Sequence, residues 1–254
     1  MHLNRTTTTN APQNAATLLL LGLFASPVLA EQPATDSQPA DTELAPYQAT
    51  YTASMDKGIS LNGTAKRTLT QKEGNVWLYR TDVDSFIADI DESLVLKWEN
   101  NQVIPLRYRY RLSGFLIKDR EQSIDFDWEA GVATGKDEGE PFELKLREGA
   151  LDPLGFQLQL SQDIKAGKRD MTYHVIDGDD YDEDRFSILE QEPLKTNRGS
   201  INALKAEKVR DKESKRQTLM WFAPEADYLL VRLLQTEPDG SRYELRLNRS
   251  DLGG

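Results

Sequence analysis

The 254-residue sequence contains no cysteine. That absence excludes disulfide bonds, a thiolate nucleophile, thiolate-bound zinc and the export route that attaches lipid to a cysteine at the new N-terminus. Stability must therefore come from a packed core. Histidine is almost as scarce, with two residues, of which only His174 lies beyond position 30. A serine triad would need His174 as its base. It stands in the strand-like run Thr172-Tyr173-His174-Val175-Ile176, where a structural role is favoured. Long apolar runs are missing after residue 30; the longest, Leu219 to Ala223, has the length of a strand. No transmembrane segment is expected there. Positive charge is in the minority, 31 Lys and Arg against 42 Asp and Glu, for a formal charge of −11. Such a surface repels nucleic acid, so no nucleic-acid partner is expected.

What is present begins with a leader. Residues 1–30 read as a cleavable signal peptide: Arg5 gives a weakly positive start, and Ala15 to Ala25 form an apolar run containing Leu18-Leu19-Leu20-Leu21. Val28-Leu29-Ala30 then supplies the small residue a signal peptidase needs. Pro27 breaks helix just before the cleavage site. The run falls short of the roughly 20 residues that span a hydrocarbon core, which argues against an anchor. Arg5 is the only formally charged residue of the thirty, so its removal takes the formal charge from −11 to −12. Export and a periplasmic location are the expectation. Residues 31–46 are rich in Pro, Ala, Thr, Asp and Gln and read as a flexible linker.

From Tyr47 the pattern changes to period-two alternation, the mark of half-buried strands. Tyr47, Ala49, Tyr51 and Ala53 alternate with polar residues. So do Leu94, Leu96 and Trp98; Ile124, Phe126 and Trp128; and Tyr243, Leu245 and Leu247. Tyr108, Tyr110 and Leu112 face one way while Arg107, Arg109 and Arg111 face the other. Glu73-Gly74-Asn75, Glu99-Asn100-Asn101, Glu129-Ala130-Gly131 and Pro238-Asp239-Gly240-Ser241 favour tight reversals between them. One segment departs from the pattern. Asp152 can cap a helix with Pro153 at its first position, and Gly167 is placed to end it. The expected architecture is all-β, a mainly antiparallel curved sheet or barrel-like sandwich with one short covering helix. A single β-rich domain spans residues 47–252.

Several segments together resemble the exported bacterial family of unknown function DUF3108. They include Tyr47-Gln48-Ala49-Thr50-Tyr51, Pro105-Leu106-Arg107-Tyr108-Arg109-Tyr110, Leu151-Asp152-Pro153-Leu154, Asp177-Gly178 and Pro193-Leu194-Lys195-Thr196 before Gly199. The strongest is Trp221-Phe222-Ala223-Pro224-Glu225, running on through Asp227-Tyr228-Leu229 to Val231-Arg232, then Asp239-Gly240 and Tyr243-Glu244-Leu245. The acidic run after Gly178 is heavier than the family's pattern, and Leu230 stands where that pattern tends to have proline. The resemblance implies export and a β-rich domain. It carries over no reaction and no cofactor.

Three constellations could carry function. Asp177-Gly178-Asp179-Asp180-Tyr181-Asp182-Glu183-Asp184 could hold calcium. In an EF-hand register starting at Asp180, however, Arg185 takes the glycine position and Gln191 that of the bidentate Glu. A solvated hairpin is the preferred reading, and no metal site is expected. Phe115-Leu116-Ile117 could gate a cavity or tuck into the core. Arg107, Arg109 and Arg111, with Tyr108 and Tyr110, are the first choice for a ligand site. The arginines suit carboxylate or phosphate, but Glu121, Asp125 and Asp127 on the next strand could neutralise them. The expected role is a binding or envelope-assembly module for an amphipathic or glycan-like ligand, using the tyrosine face or the arginine face but not both. The rivals are a polysaccharide lyase and a purely structural envelope partner. Oligomeric state is open.

Overall fold

The computed structural model describes residues 43–252 apart from 58, 59, 87, 116, 197 and 198. The expected signal peptide and residues 31–42 of the expected linker lie outside the described residues. The chain forms β1 (Tyr47–Asp56), β2 (Ser60–Gln71), β3 (Val76–Ser85), β4 (Ala88–Glu99), β5 (Gln102–Gly114), β6 (Arg120–Asp127), β7 (Val132–Asp137) and β8 (Glu140–Lys145). A two-residue strand β9 (Ala150–Leu151) leads into helix α1 (Gly155–Lys165). Then come β10 (Asp170–Asp177), β11 (Asp180–Thr196), β12 (Gly199–Val209), β13 (Gln217–Ala223), a 3₁₀ turn (Pro224–Ala226), β14 (Leu229–Thr236) and β15 (Arg242–Ser250).

All these strands belong to one 15-stranded sheet in the order β8-β7-β6-β5-β4-β3-β2-β1-β15-β14-β13-β12-β11-β10-β9. Apart from β8 and β9, which end the order on opposite sides, each strand lies beside its chain neighbours, and β1 paired with β15 joins the two meanders. Every ladder is antiparallel except β9 with β10. Tight turns make this possible. Asn100 and Asn101, at φ 54° and 60°, form the two-residue link between Glu99 and Gln102. Both positions need left-handed backbone, which asparagine tolerates.

The sheet rolls until its two ends face each other. Tyr181 Oη donates to the Lys145 carbonyl at 3.1 Å and accepts from the Arg147 N–H at 3.1 Å, linking the β8 edge to the β10–β11 hairpin. Helix α1 lies in the roll against β5 and β10. It starts later than the sequence suggests. Asp152 Oδ1 does accept the N–H groups of Leu154 (3.0 Å) and Gly155 (2.9 Å). Pro153, however, lies in a preceding turn and the helix begins at Gly155. A side chain at Gly155 would strike Asp152 Oδ2 at 2.6 Å and Leu94 Cδ2 at 3.1 Å, so glycine lets the helix start sit on the sheet.

The helix fills the space it covers. Leu154, Leu158, Leu160 and Ile164 are buried with Leu94, Leu96, Tyr108, Ile124, Phe186 and Phe222 in the main core. Gln159 accepts the Val103 N–H at 2.7 Å and donates to the Asn101 carbonyl at 3.1 Å, pinning α1 to the β4–β5 hairpin. Asp163 accepts from Tyr173 Oη and Lys168 Nζ, each at 2.8 Å. Leu44, inside the segment expected to be a flexible linker, is also buried in this core; one leucine suffices to dock the chain just before β1. A second cluster gathers Tyr51, Ala65, Leu219, Trp221, Leu229 and Val231, so β13 is buried on both faces.

Candidate functional site

Strand β5 splits its side chains as the alternation requires. Tyr108 is buried in the core, and its hydroxyl donates to Glu92 Oε1 at 2.8 Å. Arg109 points outward. Its guanidinium holds both oxygens of Asp125 at 2.9 Å and donates to the carbonyls of Tyr108 (2.7 Å) and Ile124 (3.1 Å). Arg107 also reaches Asp125, at 3.3 Å, and Arg111 reaches Glu121 at 3.4 Å. Cross-strand pairing thus neutralises the arginine ladder through Asp125 and Glu121. Asp127 takes no part; it accepts the Ala130 N–H in the next turn. Exposed pairs of this kind contribute only ~0–1 kcal/mol, so a ligand anion could displace them cheaply.

Arg109, Tyr110 and Arg111 line one wall of an open groove of about 780 Å³ that crosses β3 to β7. Asp82, Asp84, Asp89 and Asp91 also line the groove, Asp91 as the cross-strand partner of Arg111. Asp82 and Asp91 stand directly opposite each other on β3 and β4. Arg80 reconciles them, pairing with Asp82 at 2.8 Å and with Asp91. The groove therefore mixes both signs of charge on neighbouring strands; Tyr110 also reaches its lining, although it alternates with Arg109 and Arg111 on β5 and its half-buried ring packs against the main core. Burial first, then the Glu92 carboxylate, raises the Tyr110 phenol above its ordinary value. It is a neutral hydroxyl that donates or accepts a hydrogen bond.

Inside the roll lies a polar set that the sequence reading missed. Arg67 is 3% exposed; its Nε donates to Thr81 Oγ1 at 3.0 Å and its guanidinium lies 5.4 Å over the Tyr79 ring. Burial raises the Glu92 carboxyl, opposed by the Tyr108 hydrogen bond and the Arg67 charge. Burial likewise lifts Asp152 to about 7, against the two N–H groups it caps. A signal existed: Glu92 shares strand parity with Leu94 and Leu96, and Arg67 with Leu69. The cavity beside Arg67, under α1, measures only about 20 Å³, the size of one water.

The other sequence candidates fall elsewhere. His174 sits in β10 between Ala150 of β9 and Glu183 of β11. The acidic run is a hairpin, with Asp177 ending β10, Gly178-Asp179 as its turn and Asp180 to Asp184 in β11. Its carboxylates diverge: Asp184 is buried against Lys208, while Glu183 lies outside near Arg185. Among the described residues no group of three His, Cys, Asp or Glu side chains could hold a metal ion. No described helix is long and apolar enough to cross a membrane. Phe115 projects at 69% exposure, and Leu116 lies outside the described residues. Phe86, on the adjacent β3–β4 tip, is 92% exposed.

Comparison with known structures supports the architecture. A beta-barrel-like protein of domain of unknown function DUF1849 from Brucella abortus superposes with a TM-score of 0.53 at 14% identity, covering 83% of this chain and 99% of that one. A DUF1329 family protein from Desulfovibrio piger matches with a TM-score of 0.24 at 11% identity, over 82% of this chain and 85% of that one. No curated protein matches the chain. The segments that resemble DUF3108 fall at structural junctions: Tyr47–Tyr51 in β1, Asp152 at the helix start, and Trp221–Glu225 where β13 enters the 3₁₀ turn. The model of that family, described as a protein of unknown function, matches residues 46–248, and the chain belongs to the DUF3108 family.

Proposed function

We propose that this protein is a non-catalytic, exported module of the bacterial envelope that binds a hydrophilic, glycan-like ligand in the groove across β3 to β7. The observation that carries this reading is the groove itself: about 780 Å³, open, and lined by Asp82, Asp84, Asp89 and Asp91 together with Arg109 and Arg111. Walls of both signs suit a ligand rich in hydroxyl groups, each of which donates to a carboxylate and accepts from a guanidinium.

An amphipathic lipid fits less well. An acyl chain needs an apolar space of roughly 300 Å³ or more, whereas the space under α1 is occupied by leucines and leaves about 20 Å³. A lyase also fits less well. It would need a phenolate or another base near neutral pH, while the surroundings of Tyr108 and Tyr110 push both phenols upward. Tyr108, moreover, is buried beneath the sheet and cannot meet a polymer.

Calorimetric titration with muropeptides and with neutral and acidic oligosaccharides tests the proposal. The expected result is saturable binding of at least one of them, weakened about tenfold or more by Tyr110→Ala and by Arg111→Ala, since each removes a contact of order 1.4 kcal/mol. Binding unchanged in both variants would move the site away from the groove.

A further inference from the structure

A second site is formed where the sheet folds over itself. Strand β11 is 17 residues long and its ladder to β12 slips between Ile188 and Gln191. The extra residue bends the strand. Beyond that bend, Pro193 to Thr196 no longer lies only beside β12. It approaches β14 and β15, strands that are not its ladder neighbours, and with them encloses a cleft of about 160 Å³.

The cleft's floor is apolar, from Leu194, Val231 and Leu247, and its rim is cationic, from Lys195, Arg232 and Arg246. The only acid among these strands that touches the two arginines is Glu244. A single oxygen, Oε1, accepts a hydrogen bond from Arg232 Nε at 2.6 Å and forms an ion pair with Arg246 Nε at 2.8 Å. Both guanidinium groups are therefore anchored through Nε, and among the described residues their Nη groups meet no other carboxylate. Arg232 is further fixed by stacking 4.4 Å over the Trp221 ring. Glu192, the other nearby acid, is engaged by Trp221 Nε1 at 2.5 Å and Lys205 Nζ at 3.8 Å. Among the described residues Lys195 has no ion-pair partner. Three cations thus line the cleft, and only the two arginines share a carboxylate, in a chain whose overall formal charge is −11.

We propose that this cleft is an oxyanion subsite, taking one phosphate or carboxylate group carried on a compact ligand with a partly apolar skeleton, such as a phosphorylated or carboxylated sugar. Guanidinium groups fixed in plane present paired N–H donors that match an oxyanion's geometry. The anchored Nε atoms and the Trp221 stack remove the side-chain ordering cost that an unfixed arginine would bear on binding. The site shares no residue with the β3–β7 groove and stands independently of the function proposed for it.

Titration calorimetry at low ionic strength with inorganic phosphate, glucose 6-phosphate, glucuronate and glucose tests the assignment. Saturable binding of glucose 6-phosphate or glucuronate is expected, with a Kd on the order of 1 mM, and glucose should not bind. Arg246→Gln and Lys195→Gln alter exposed side chains, so they should fold normally by circular dichroism, yet each should weaken binding about tenfold. Tyr110→Ala should leave it unchanged, which separates this site from the groove. Preference for the phosphosugar or for the uronate identifies which oxyanion the cleft takes. The assignment is overturned if none of the three anions saturates, or if Arg246→Gln binds as the wild type does.

Discussion

The two sides of strand β5 belong to different kinds of protein interior. On Tyr108's side the roll is filled, with α1 and its leucines plugging it and a water-sized cavity beside Arg67. On Arg109's side, and toward the hairpin tips, charges of both signs surround an open groove of about 780 Å³. The difference teaches where binding can happen. A rolled sheet that spends its inner face on a helix and its leucines has stability there and no room; ligand chemistry must move to the outside and the rim. Polar groups on the inner side, such as Arg67, Glu92 and Asp152, are held by neighbours and by burial.

The comparison is sharpened first by pH. Burial lifts the Asp152 carboxyl from its ordinary 3.8 to about 7. A carboxyl raised on folding favours the folded state while protonated. That contribution is whole below about pH 4 and is lost as pH climbs through 7. Between about pH 4 and pH 8, wild type should lose on the order of 4 kcal/mol relative to Asp152→Asn, which keeps the capping oxygen but cannot ionise. Urea unfolding of both proteins at the two pH values checks this; parallel losses would mean that the carboxyl is not desolvated.

Next in size is the plug. Leu154 and Leu160 are completely buried, and Leu160→Ala should cost about 3 kcal/mol in chemical denaturation. A cost below about 1 kcal/mol would show a helix that is not packed into the roll. Gly155→Ala comes lower, about 2 kcal/mol, because its methyl group must push back Leu94 and the Asp152 carboxylate. Smallest should be Arg111→Ala: its pair with Glu121 is 65% and 70% exposed, so unfolding should change by less than about 0.5 kcal/mol. If Arg111→Ala destabilised as much as Leu160→Ala, the contrast between the two sides would collapse.

Much of this contrast was written in the alternation. Leu94, Leu96 and Trp98 are all buried, and Tyr108 and Arg109 take opposite sides. The asparagine turn and the pairing of Arg109 and Arg111 with Asp125 and Glu121 also follow from local spacing. What stayed hidden depends on distant parts of the chain. The groove's acidic residues come from β3 and β4, and although Asp91 pairs with Arg111 in the β4–β5 hairpin, the gathering of residues from β3 to β7 into one groove depends on the curvature of the sheet. Glu92 and Arg67 lie on inward-facing positions, but a charged residue at such a position reads as a strand's end until its partners are known. The bend in β11 inserts a residue that flips the alternation, so the fold-over onto β14 and β15 left no periodic trace. Pro153 displaced the helix start because the chain needs a turn to leave β9.

Native mass spectrometry of the protein purified from its native host tests the central claim most directly. A filled roll with an outer groove predicts that wild type carries no acyl-chain lipid and that any retained adduct is a saccharide, lost in a Tyr110→Ala/Arg111→Ala double variant. A lipid adduct that survives in that double variant would place the ligand inside the roll and contradict the claim.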